Sequence, residues 1–172
     1  MSAAAAPLSR RPLDIAFIAF WVVNFTFITY MIDIEQIVIR DPANFSYPVW
    51  PPRFAVDAIH WWARSFDPVV WAREPWYRAT IWIDSLVFGP FYALAIWAFW
   101  KGKRWIRVPC FVWAGMMIAI VTIILFEELW GKVTGARGIV VAANVPWLLF
   151  PMAVIARMRH DDPFAPKDEG PR

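Results

Sequence analysis

Apolar residues fall in four long blocks along this chain, at about 15–33, 77–100, 106–125 and 138–156. Each is close to the ~20 residues that a helix needs to cross ~30 Å of hydrocarbon. A different pattern fills the first inter-block segment. Over 54–66, Phe54, Ala58, Ile59, Trp61, Trp62 and Phe66 fall largely on one side of a helix, while Arg53, Asp57 and Arg64 fall elsewhere. That spacing predicts an amphipathic helix lying on the bilayer surface, bounded by prolines at 42, 48, 51, 52, 68 and 75. Pro109 belongs to the first turn of the third block, where a missing N–H does no harm. Pro146 and Pro151 lie inside the fourth, as membrane helices tolerate. The expected fold is an all-α membrane protein: a four-helix transmembrane bundle over 12–157 with an amphipathic interfacial helix in its first loop. A disordered tail (1–11) precedes it and a polar, solvated tail (158–172) follows.

Composition sharpens the class. Hydrophobic residues make up 60% of the chain and mean hydropathy is +0.46, against ~45–50% apolar residues in an average soluble protein. A soluble globule is excluded on that ground. Thirteen tryptophans suit the water–lipid boundary. The net charge of +3 comes without a basic stripe interleaved with aromatics, so no nucleic acid is expected. Placing both termini in the cytoplasm puts ten Lys and Arg there (10, 11, 101, 103, 104, 107, 157, 159, 167, 172) and seven opposite (40, 53, 64, 73, 78, 132, 137). The short basic loop "KGKRWIR" weighs most, and both termini are read as cytoplasmic. Arg10 and Arg11 precede the first apolar block, but no small-residue cleavage site ends it, so it is read as a retained anchor. A single cysteine, Cys110, allows no intrachain disulfide.

The informative residues are acids inside apolar sequence. Asp84 sits in "IWIDSLVFGPFYALAIWAFW", roughly 10 Å into the membrane at ~1.5 Å per residue. An unpaired charge there costs at least ~2.5–3.5 kcal/mol. Asp33 closes the first block, with Thr26 and Thr29 on its helical side, and Asp67 follows the amphipathic segment. Two close carboxyls in a low-dielectric pocket can share a proton, hold a cationic amine or move a proton. The alternative is that Asp84 merely pairs with Arg78 or with an interhelical Trp or Thr. Glu127 and Glu128 are expected to be a solvated helix end. Gly89–Pro90 predicts a kink with space beside it, and Trp82, Trp113 and Trp147 are candidates to line that space. "NFS" at 44–46 matches a glycosylation acceptor. Neither His60 nor His160 has a ligand at i+3 or i+4, so no metal site is expected, and no cofactor motif is present.

"MIDIEQIV", "FDPVVWAREPWYR", "DSLVFGPFYALAIWAFWKGKRWIRVP", "LFEELWG" and "NVPWLLFP", in that order over about residues 12–157, resemble the EXPERA family, which includes the emopamil-binding sterol isomerases. The resemblance implies a four-helix membrane fold with a ligand pocket opening toward the lipid. It implies that Asp33 holds a ligand amine and that Asp84, a Glu in the receptor branch of the family, hydrogen-bonds to it. It further implies that Asp67, followed by Pro68, supports the pair and that Asn144 and Trp147 flank the ligand. Family isomerases carry a His one turn before the helix-two acid and a Glu in helix three. Here Thr80 stands in the first place, and helix three has no acid before Glu127. The expected function is binding of a sterol-like lipid or cationic amphiphile, with a membrane isomerase shifting a double bond as the alternative. The expected partner is a membrane lipid or sterol-like small molecule, and a homodimer stays open. The chain would lie in the endoplasmic reticulum membrane if eukaryotic, or in the inner membrane if bacterial.

Overall fold

A computed structural model describes residues 5–132 and 135–166, and these contain helices and no strands. The helices are α1 (Pro12–Val38), α2 (Arg53–Ser65), α3 (Pro68–Ala72), α4 (Pro75–Lys101), α5 (Arg104–Trp130) and α6 (Arg137–Met158). Four of them, α1, α4, α5 and α6, are long and apolar enough to cross a membrane. Prolines open α1, α3 and α4, where a fixed φ helps and the lost N–H is unneeded. Gly102, at φ 62°, closes α4 in the left-handed conformation that glycine adopts without strain.

The bundle is packed at one end and hollow at the other. α1 lies against α4, and α5 against α6. In the half that holds the described ends of the chain, Phe17, Trp21, Phe91, Tyr92, Phe99 and Trp113 form a dense aromatic core. Trp21 meets Phe99 edge-on at 4.7 Å, and Phe91 stacks on Trp113 at 5.1 Å. At the far end of this core Asp14, fully buried, accepts from Arg11 Nη1 (2.8 Å), Arg157 Nε (2.8 Å) and Arg157 Nη2 (3.0 Å). Phe164 closes over the cluster with no exposed surface, flanked by the Arg11 and Arg157 guanidiniums and by Phe99. The expected solvated tail is therefore docked as far as Phe164, because one aromatic ring in it finds an apolar socket. Lys167 and Arg172, counted for the charge balance, lie outside the described residues.

Two wide π turns shape the hollow end. They cover Asn24–Asp33 in α1 and Asp84–Phe88 in α4, and are marked by i→i+5 bonds from Ile34 N to the Thr29 carbonyl and from Gly89 N to the Asp84 carbonyl. Such turns widen a helix and recur at functional sites. Pro90 explains the second. It has no N–H to continue the ladder, and the Ser85 carbonyl, five residues back, accepts instead from the Tyr30 hydroxyl at 3.3 Å. Gly89 allows that approach: a Cβ there would lie 2.4 Å from the Tyr30 oxygen.

Candidate functional site

Between the widened stretches and beneath α2 lies a cavity of about 480 Å³. Its walls are mostly apolar, including Phe27, Ile32, Ile81, Phe88, Met117 and Val121. Set among them are Asp33, Gln36, Asp67, Tyr77, Thr80, Asp84 and Asn144, and among the described residues no Lys, Arg or His lines it. Asp33 and Asp84 both line this cavity, close enough to interact electrostatically. The Thr29 hydroxyl donates to Asp84 Oδ2, and the Tyr92 hydroxyl to Asp84 Oδ1 at 3.2 Å. Arg78 is not among these partners. Asp33 is buried, and Gln36 Nε2 approaches its Oδ1 at 3.5 Å. Among the described residues the hydrogen-bond donors to the two acids are neutral, which leaves capacity for a proton or for a ligand N–H.

The other expected residues divide. Trp147 lines the cavity and donates through Nε1 to Asn24 Oδ1 at 2.7 Å, which ties α6 to α1 at the cavity wall. Asn144 also lines it, with its side-chain amide returned to the Val140 carbonyl at 2.9 Å. Asp67 lines it from the loop side and caps α3, accepting from Val70 N at 3.2 Å and, more distantly, from Trp62 Nε1 at 3.4 Å. Trp113 does not line it. It is core, stacked on Phe91, with Tyr92 between it and Asp84. The expected solvated end of α5 is corrected too. Glu128 has no exposed surface, because α5 continues past residue 125 to Trp130 and turns this side chain inward.

The roof was only partly foreseen. Phe54, Ala58, Ile59, Trp61 and Trp62 of α2 do face the cavity, but the helix is fastened by a cluster the pattern hid. Glu35, fully buried, accepts from Arg73 Nη2 at 3.0 and 2.8 Å on its two oxygens, and His60 Nε2 lies 2.9 Å from its Oε1. Arg73 also donates to the Ile39 carbonyl. It sits at φ 49° as the C-cap of α3, a conformation that a non-glycine residue adopts at some cost, and its guanidinium thereby reaches α1. The three partners are 13 to 38 residues apart, so local spacing carried no signal. The one available hint was an acid two residues after Asp33 with an isolated Arg before "EP". Among the described residues no three His, Cys, Asp or Glu side chains are grouped to hold a metal ion.

The family model EXPERA (EXPanded EBP superfamily) matches residues 54–158. The chain belongs to the EXPERA family. Sigma intracellular receptor 2 of Homo sapiens is 25% identical to this EXPERA protein over 174 residues, covering 89% of this chain and 90% of the relative. The Macaca fascicularis and Xenopus tropicalis proteins of that name are 24% and 27% identical, over 88% and 80% of the chain. The family match includes α2, α4, α5 and α6 and so spans the roof and three of the cavity's walls. With its four spans, the chain is an integral, multi-pass membrane protein.

Proposed function

We propose that this EXPERA protein binds a sterol-like lipid or a cationic amphiphile in the cavity, with the ligand amine against Asp33. The observation that carries this is two acids with neutral hydrogen-bond partners in a mostly apolar, roofed cavity of about 480 Å³. An apolar body would gain from leaving water, and an amine would supply the charge that the carboxyls lack. Asp84, held by Thr29 and Tyr92, orients the pair and keeps a shared proton when no amine is bound. The three relatives named above carry the name of a receptor, which supports binding rather than turnover. The isomerase reading is second: Thr80, in the place of the isomerase His, spends its hydroxyl on the Tyr77 carbonyl at 2.7 Å and offers no titrating group. On this proposal both termini are cytoplasmic and α2 rests at the opposite interface.

Binding of a cationic amphiphile to the parent, Asp33→Asn and Asp84→Asn tests it, followed by quenching of tryptophan fluorescence at fixed pH and salt. Asp33→Asn should lose about 1.5–3 kcal/mol, the worth of a hydrogen bond to a charged group. Asp84→Asn should lose less, because Asp33 remains free to ionise. Equal affinity for the parent and Asp33→Asn would refute the proposal.

A further inference from the structure

Gln36 stands one turn beyond Asp33 on α1, lines the cavity and is 2% exposed. Its side chain is half used. Nε2 lies 3.5 Å from the Ile32 carbonyl and 3.5 Å from Asp33 Oδ1, whereas Oε1 is buried and accepts no hydrogen bond. Turning the amide over would set its oxygen against a carbonyl and a carboxyl, so the oxygen is held as the outward end. A buried acceptor without a donor is costly and rare. This one stands beside an acid that lines the cavity.

The neighbouring side chains do not answer it. Thr80 donates to the Tyr77 carbonyl and Asn144 to that of Val140, each within its own helix. The hydroxyls of Thr29 and Tyr92 are spent on Asp84. Tyr77 lines the cavity close enough to the amide to interact with it, yet no hydrogen bond reaches Oε1. A donor for this oxygen is left for a ligand to bring.

Distance says which group can bring it. The nitrogen and oxygen of one amide are about 2.3 Å apart. With Nε2 at 3.5 Å from Asp33 Oδ1, Oε1 therefore lies within about 6 Å of that carboxyl oxygen. One ammonium with two N–H bonds of ~2.9 Å spans about 5 Å between its acceptors, and rotation of the amide takes up the rest. A nitrogen with two or more hydrogens can thus bond Asp33 and Gln36 together. A trialkylammonium has a single N–H, spends it on Asp33 and leaves Oε1 facing alkyl groups.

We propose that Gln36 reads the substitution of the ligand nitrogen and selects a protonated primary or secondary amine over a tertiary one. This rests on the amphiphile-binding reading above and narrows it to cations with at least two N–H groups. Asp33 attracts all of these cations, and Gln36 tells them apart.

The test compares dodecylamine with N,N-dimethyldodecylamine, which share a tail and a charge at neutral pH. Both are bound to the full chain in nanodiscs of neutral lipid, and each affinity is corrected for uptake by protein-free nanodiscs. The readout is the preference, the affinity for the primary amine divided by that for the tertiary one. Gln36→Met keeps the bulk of the side chain without its oxygen and should lower the preference about tenfold, the worth of one hydrogen bond to a charged group. Gln36→Glu keeps an acceptor there and should match or exceed the parent's preference. Asp33→Asn should weaken both probes. A preference unchanged in Gln36→Met, or lowered equally in Gln36→Glu, would overturn this inference and leave the binding site in place. Failure of both amines to bind the parent would overturn the proposed function and this inference with it.

Discussion

Replacing Glu35 with Gln should loosen the roof of the cavity without touching its lining. The Glu35 side chain is 0% exposed and that of Arg73 only 1%, so neither charge can be answered by water in place. The substitution preserves shape and one carbonyl acceptor but removes the charge. Arg73 then keeps its guanidinium inside the protein with the Ile39 carbonyl and an amide for partners. Breaking a buried pair from one side costs about 3–5 kcal/mol. At about 2–4 °C per kcal/mol for a chain of this size, the melting point should fall by roughly 6–20 °C. The damage should be local, since α2 and α3 hang on this cluster. Amide hydrogen exchange over 53–72 should rise more than exchange in the aromatic core around Trp21. Adding Arg73→Met removes the stranded cation, and the double variant should be more stable than Glu35→Gln alone. Thermal unfolding of the four variants in one detergent, followed by tryptophan fluorescence, gives the cycle. A Glu35→Gln melting point within about 2 °C of the parent, or a double variant whose loss equals the sum of the single losses, would refute the reasoning.

Phe164→Ala should cost about 3–5 kcal/mol in the same melt, because the ring is fully buried between Phe99 and two guanidiniums; a solvated tail would show no change. Lys101→Cys, made with Cys110→Ala, should resist an impermeant thiol reagent in intact cells and react after lysis, and labelling of intact cells would reverse the proposed orientation.

Periodicity and length were enough to read the four spans, and α2, because a membrane helix must satisfy its backbone internally and shows this as an unbroken apolar block. The blocks came out short at their ends. Helices α1 and α5 continue through Glu35 and Glu128, and charged residues there looked like exits from the membrane. The same error hid Glu128 as a buried acid and Glu35 as the anchor of the roof. Asp33 and Asp84 were legible because a carboxylate in apolar sequence needs a reason. Their pairing was read from their common level near one end of the bundle as well as from the family resemblance, and it belongs to the proposed function. One donor to Asp84 was foreseen as an interhelical Thr, and Thr29 is that residue, on the same helical side as Asp33; the Tyr92 hydroxyl was not foreseen. Trp113 was a candidate for the cavity wall, although core is the more usual place for such a residue, and it packs in the core against Phe91.

The Asp14 cluster has a consequence for how the chain is made. Arg11 is three residues away and can reach Asp14 as soon as the first helix leaves the translocation machinery. Arg157 is 143 residues away, which at about 5–20 residues per second is roughly 7–30 s later. For that interval the first helix waits in the bilayer with its carboxylate half-satisfied, free to tilt and rotate. Only when α6 arrives does the second guanidinium close on it, and Phe164 seals the joint after that. A later-made part of the chain fixes an earlier one, so a ribosome stalled before the final turn of α6 should leave a set of inserted helices and no assembled bundle.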